Sequence, residues 1–268
     1  MSDPLETPRA IDELYIARGI EVSFLRPIMT GDVFAGISIP GVERIEGDDE
    51  LLAMIVSHPC SMRDGHELRP ALQALRVVQS PAIDLTAWKQ HFDRMPLPNL
   101  QGRSSDDETV DPEDSYAALF EMRGRVPTTE ITLDKRVACL SEEGAGFLHQ
   151  RMGHADTRFA PRVADLVESC ASPFAEAELA EEWNTQLLIR NDQLDPLNRD
   201  EILLRAAKEF DEVLSELRRA PSANGKKQMQ YRLRDDLGLP KKRPGVRREI
   251  TRIIKQRQAE DDQKTTQR

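Results

Sequence analysis

Cysteine and aromatic residues are scarce in this chain of 268 residues, and long apolar runs are missing. The three cysteines are odd in number and form no Cys-x-x-Cys pair, which argues against a disulfide framework and favours a reducing, cytoplasmic location. No apolar run approaches the roughly 20 residues of a transmembrane helix, so we expect no membrane partner. The first six residues have neither a basic beginning nor an apolar core, so no signal peptide is expected.

The net charge of −10 conceals a division along the chain. Residues 226–268 contain 14 Lys or Arg and 6 Asp or Glu, a net charge of +8. The other 225 residues contain the remaining 23 basic and 41 acidic side chains, a net charge of −18. Such an asymmetry is typical of a polyanion-binding appendage, or of a tail that folds onto its own acidic body.

Hydrophobic periodicity predicts strands in the first half of the chain and helices in the second. A helix is expected at 8–18, followed by short strands at 20–24, 31–39, 51–57, 72–78, 116–122 and 135–140. The last two strands look like a hairpin. Beyond Leu140 the period becomes 3.6, and helices are expected to start at Ser141, at Pro161, and at the Ser-Pro and Asp-Pro pairs 172–173 and 195–196.

Segregated strands and helices predict an α+β fold, in which a small, partly closed antiparallel β-barrel is followed by an all-helical C-terminal extension. The expected domains are a β-rich, barrel-like domain at 1–140, a helical extension at 141–220, and a basic, partly helical tail at 221–268. Residues 97–115 are acidic and poor in apolar side chains, so we expect a flexible loop there.

The densest reactive chemistry follows the apolar run Leu51–Val56, which reads as a strand buried on both faces. The next residues are Ser57-His58-Pro59-Cys60-Ser61-Met62-Arg63, and Pro59 must end the strand because it has no backbone donor. His58, Cys60 and Arg63 are the candidate catalytic residues: His58 would activate the Cys60 thiol, and Arg63 would lower the thiol pKa or bind an anion. The alternative is structural, with a buried cysteine and a hydrogen-bonded histidine at a strand end.

A metal site is the other interpretation of these side chains. His58, Cys60 and His66 lack the paired spacing of zinc modules. His149 and His154 lie five residues apart, which is off-phase for one helical face. The sequence therefore predicts neither a metal nor a cofactor.

The basic tail supplies the candidate nucleic-acid contacts, which are Lys226, Lys227, Arg232, Arg234, Lys241, Lys242, Arg243, Arg247, Arg248 and Arg252. Gly238 and Pro240 interrupt the region and Pro244 can start a second helix, so a helix-turn-helix-like unit or a basic arm fits the pattern. These side chains would neutralise phosphates of DNA or RNA. Tyr231 alone offers a stacking surface there, which disfavours a platform for single strands.

The stretch Thr30-Gly31-Asp32-Val33-Phe34, followed by an apolar strand ending in Ser57, resembles the PemK/MazF-like small barrels. The resemblance covers about residues 30–65 and, by strand order, extends towards 140. It implies a barrel in which Gly31 and Asp32 are structural matches. Members of that family are typically ribonuclease toxins whose second strand is introduced by a catalytic Arg-Pro pair; here that position reads Asp48-Asp49-Glu50, so no catalytic residue carries over.

Three hypotheses about function follow. The first is an accessory or regulatory binding protein with a nucleic-acid-contacting tail, which the charge count favours. The second is a barrel-type nuclease or other hydrolase that uses His58, Cys60 and Arg63. The third is an interaction scaffold, in which the amphipathic helix at 200–219 binds a partner protein.

Overall fold

The structure is a computed structural model that describes residues 5–43, 50–64, 67–102 and 109–190. The chain divides into two compact units, Met1–Ala177 and Glu178–Arg268. In the second unit the described residues, 178–190, are helical. The expected domain boundaries at 140 and 220 remain predictions.

The strands of the first unit are antiparallel and form a curled half-barrel. Their bounds are β1 Tyr15–Arg18, β2 Val33–Ala35, β3 Leu52–Ile55, β4 Arg63–Asp64, β5 Glu67–Leu68, β6 Ala71–Gln79, β7 Arg94–Leu97, β8 Tyr116–Pro127 and β9 Arg136–Leu140. Seven of them make one sheet in the order β1-β9-β2-β3-β6-β8-β7, and β4 pairs with β5 separately. The α+β class is therefore as predicted.

Within the described residues the α-helices are α1 Pro59–Met62, α2 Glu142–Thr157 and α3 Val163–Arg190. Helix α2 begins as its sequence predicts, because the Ser141 side chain accepts a hydrogen bond from the Gly144 amide at 2.9 Å and two glutamates follow in the first turn. Short 3-10 turns lie at Ile11–Leu14, Gly19–Glu21, Leu85–Gln90, Pro112–Asp114, Thr128–Glu130 and Leu133–Lys135. Among the described helices, none has the length and apolarity that crossing a bilayer requires.

Strand β3 lies inside the sheet and is buried on both faces, as its composition predicts. Leu52 and Met54 pack into one core cluster, whose members include Leu75, Trp88 and Phe147. Ala53 and Ile55 pack into a second cluster on the other face, with Phe34, Leu72 and Met62. The residues that follow β3 are therefore attached to a strand whose two faces are both packed in the core.

The helix expected at 8–18 and the strand expected at 20–24 are wrong. The chain makes a 3-10 turn at Ile11–Leu14 and then strand β1, because residues 15–18 pair with β9. Gly19, with φ +51°, starts another 3-10 turn, and Ile20 is 80% exposed. Here the pairing with β9, which lies more than 100 residues further along the chain, overrides the helical periodicity of the local sequence.

Two other local predictions are corrected by the pairing of distant segments. Strands β8 and β9 are not a hairpin: β8 pairs with β6 and β7, whereas β9 pairs with β1 and β2. The pair 172–173 does not start a helix, since Pro173 lies inside α3. Proline there removes one backbone donor but does not end the helix.

The segment 97–115, for which a flexible loop is expected, is held by hydrogen bonds at both of its described ends. Leu100 is fully buried, and Asp114 accepts a hydrogen bond from the Gln101 amide at 2.8 Å. The Asn99 side chain donates to the Thr109 carbonyl and accepts from the Asp111 amide. Both ends of the segment are therefore fixed, and residues 103–108 lie outside the described part of the chain.

Candidate functional site

The site begins where β3 leaves the sheet. The Val56 amide donates to the Gln73 carbonyl at 2.9 Å, and the Ser57 hydroxyl accepts from the Gln73 amide at 2.7 Å. Ser57 therefore completes the ladder to the neighbouring strand instead of presenting its hydroxyl to a ligand. The residues that follow are the first to leave the sheet.

His58 and Cys60 are brought together by the single helical turn α1. His58 is the N-cap residue in extended conformation, and Pro59 occupies the first helical position. The Nδ1 atom of His58 accepts from the Cys60 amide at 3.4 Å and lies 2.8 Å from the Cys60 sulfur. Both side chains are exposed, so the thiol–imidazole contact faces solvent.

This contact determines what the two groups do chemically. When the His58 ring carries its proton on Nε2, its Nδ1 atom accepts the hydrogen bond from the Cys60 amide. Nδ1 is then placed to take the proton of the Cys60 thiol. A thiolate formed in this way is the nucleophilic form of cysteine.

Arg63 is not part of the same contact. Its Nη2 donates to the Ile28 carbonyl at 3.0 Å, and in the described part of the chain it makes no hydrogen bond to His58 or Cys60. Burial lowers the Arg63 pKa to about 10, while the Asp32 carboxylate raises it and Arg136 lowers it further. Together with the buried side chain of Met62, Arg63 anchors the turn to the 26–32 segment.

A buried ion pair supports that anchor. Asp32 and Arg136 lie 3.4 Å apart, and Asp32 also accepts from the Met29 amide at 2.9 Å. Arg136 donates to the Arg26 carbonyl at 2.8 Å. Asp32 thus has a structural role in this part of the fold. Burial raises the pKa of nearby Cys139 to about 12, so this thiol stays protonated at neutral pH.

The sequence did not indicate that His149 reaches this site. Its ring centroid lies 5.7 Å from that of His58, at an interplanar angle of 45°. Burial, and then the charge of His58, lower the His149 pKa to about 4, so its imidazole is neutral at pH 7. His154, which the five-residue spacing places on a different face of α2, contacts Phe92, with ring centroids 6.0 Å apart.

The described residues contain no group of three His, Cys, Asp or Glu side chains placed to hold a metal. His66 lies outside the described residues, as do the segment 200–219, where an amphipathic helix is expected, and all ten basic tail residues from Lys226 to Arg252. No protein-family model matches the chain, and no curated protein matches it.

Proposed function

We propose that the chain uses Cys60 as a nucleophile and His58 as its base in an acyl-transfer or hydrolytic reaction. The observation that carries the proposal is the 2.8 Å distance between the Cys60 sulfur and His58 Nδ1, at an exposed position. A positioned base is what a thiol needs to react at neutral pH. Arg63, three residues beyond Cys60 in sequence, positions the turn and does not touch the reacting atoms.

The proposed reaction has two steps. His58 takes the thiol proton as the Cys60 sulfur forms a bond to a carbonyl carbon, and the protonated His58 then delivers that proton to the departing alcohol or amine. Water next attacks the thioester, with His58 again as base, which releases the acid and restores the thiol. Neutral His149 packs against His58 and limits its movement.

An activated acetyl ester tests this proposal on the full chain. We expect a burst of alcohol release and one acetyl group on the tryptic peptide 45–63, which contains Cys60. His58→Ala should slow the burst at least tenfold, Cys60→Ser should abolish the thioester, and Cys139→Ala should behave as the native chain. Acetylation of the three cysteine peptides at equal, slow rates would refute the proposal.

A second candidate function rests on charge. We propose that the +8 tail at 226–268 contacts phosphates of DNA or RNA, in a chain whose residues 141–220 form a helical extension to a PemK/MazF-like barrel. Arg247→Ala with Arg248→Ala should lower the salt-dependence slope of binding by about 2 in an electrophoretic shift titration. If the tail instead binds the acidic body, the intact chain will not bind, and deletion of 226–268 will lower thermal stability.

A further inference from the structure

The imidazoles of His58 and His149 are held by the same short segment of the chain. The turn α1 is anchored by a 3.0 Å hydrogen bond to the Ile28 carbonyl, and the next residue, Met29, packs in a cluster with Ala145 of α2. Ala145 precedes His149 by about one helical turn, so both residues lie on the same face of α2. This arrangement places the two ring centroids 5.7 Å apart.

One nitrogen of His149 is not used by the fold. Its Nε2 atom is buried and has no hydrogen-bond partner among the described residues. Burial of a polar atom costs free energy unless the atom is hydrogen-bonded, so an unpaired buried nitrogen points to a partner that it meets at another stage of the protein's work. The ring is neutral at pH 7, and with its proton on Nδ1 it presents Nε2 as an acceptor.

His58 needs such an acceptor when it acts as a base. Its Nδ1 atom lies 2.8 Å from the Cys60 sulfur, so its Nε2 atom is on the other side of the ring. Once Nδ1 has taken the thiol proton, the ring is an imidazolium that donates from both nitrogens. A hydrogen bond from a charged donor is stronger than one from a neutral donor, so an acceptor at Nε2 favours the charged form.

We propose that His149 is a positioning residue for His58, and that its Nε2 atom accepts a hydrogen bond from the Nε2–H group of His58 when His58 takes the Cys60 proton. The sulfur keeps the electron pair of the S–H bond, the proton moves to Nδ1 of His58, and no proton passes to His149. The exposed His58 ring closes the remaining gap by rotation, since such hydrogen bonds tighten in the reacting complex. The inference rests on the proposed roles of Cys60 and His58, and it adds the third group that orients a base.

The other titratable side chains on the packed elements do not take this role. Arg63 donates to the Ile28 carbonyl, and Cys170 of α3 is buried. Glu142 begins α2, about two turns before His149, and its charge acts on Cys170. Within this set, His149 is the residue whose ring contacts His58.

Two substitutions at position 149 distinguish a hydrogen-bond acceptor from a packing ring. His149→Gln keeps a neutral acceptor and loses the ring, whereas His149→Phe keeps the ring and loses the acceptor. The readout is the ultraviolet absorbance of the Cys60 thiolate in the full chain as a function of pH, with Cys60→Ser as the blank. At pH 6.5 the thiolate-to-thiol ratio should fall about fivefold to tenfold in His149→Phe, and by less than about twofold in His149→Gln.

His154 provides the matched control, because it lies on the same helix and contacts Phe92 instead of His58. His154→Phe and His154→Gln should both keep the native titration. A His149→Phe variant with the native titration, together with a His149→Gln variant that has lost it, would overturn the inference and leave ring packing as the role of His149.

Long-range proton–nitrogen NMR of the imidazoles tests the same hydrogen bond in the native chain, without a substitution. We expect His149 as the Nδ1–H tautomer from pH 5 to pH 8, and a His58 Nε2–H proton shifted downfield as the thiolate forms. A His149 ring with its proton on Nε2 would overturn the inference, because that nitrogen could not then accept.

The ester burst distinguishes failure of this inference from failure of the proposed function, because the thiolate titration uses no substrate. A chain without a burst, in which His149→Phe still lowers the thiolate fraction, contradicts the hydrolytic function and supports His149 as the positioning residue. A burst of equal rate in the native chain and in His149→Phe, with equal thiolate titrations, contradicts the role of His149 alone.

Discussion

The carboxylate of Asp32 and the guanidinium of Arg136 lie 3.4 Å apart, with side chains 1% and 0% exposed. Removing one member of such a pair leaves a buried charge without its compensation. We therefore predict that Asp32→Asn lowers the free energy of unfolding by about 3–5 kcal/mol, measured by urea denaturation.

The exposed pair Arg123–Asp156 is the matched control for this substitution. Its atoms are 3.2 Å apart, but its side chains are 30% and 54% exposed. Asp156→Asn should change the unfolding free energy by less than about 1 kcal/mol. Equal effects of the two substitutions would contradict a structural role for the buried pair.

Gly31 precedes this aspartate and permits the local backbone. Its φ is +84°, and an added Cβ would meet the Leu140 side chain at 2.7 Å. Gly41 has a similar φ of +79° but nothing within 4 Å of an added Cβ. Gly31→Ala should lower the free energy of unfolding by about 2–5 kcal/mol, because it introduces both backbone strain and the clash. Gly41→Ala should lower it by only about 1–2 kcal/mol, because it introduces the backbone strain alone. Similar thermal denaturation midpoints for the two variants would argue against the close approach of Leu140.

The titration of the His149 imidazole makes the free energy of unfolding depend on pH. Its pKa falls from 6.5 to about 4 on folding, so the unfolded chain binds more protons between these values and the folded chain loses stability as the pH drops. The loss between pH 7 and pH 5 should be up to about 2 kcal/mol from this group. His149→Phe keeps a ring against His58 but cannot titrate, so urea denaturation at the two pH values should show a smaller difference. The same pH dependence in both proteins would show that His149 is not the cause.

The sequence predicts those strands and helices whose apolar pattern or capping residue matches the burial and hydrogen bonding that the fold gives them. The apolar run before Ser57 indicates β3 because every one of its side chains is buried, and Ser141 marks the start of α2 because its cap is local. Strand β1 could not be predicted, since its partner β9 lies far along the chain.

In the candidate site, too, local contacts can be predicted from the sequence and long-range contacts cannot. The contact between His58 and Cys60 is local and follows from their spacing around Pro59. The contact of His149 with His58 joins positions 91 residues apart, and no sequence period indicates it. Arg63 is close to Cys60 in sequence, but its guanidinium donates a hydrogen bond to the Ile28 carbonyl, because the turn directs the side chain towards the core.

The rate of Cys60 alkylation by iodoacetamide, followed by mass spectrometry of peptide 45–63 from pH 6 to pH 9, tests the central claim most directly. With His58 as its base, Cys60 should react at pH 6.5 within a few-fold of its rate at pH 8.5, ahead of the buried Cys139 and Cys170. His58→Ala should slow the reaction at pH 6.5 at least tenfold while leaving the rate at pH 9 nearly unchanged. A native chain whose Cys60 follows the same pH profile as the urea-unfolded chain, with no effect of His58→Ala, would contradict the account.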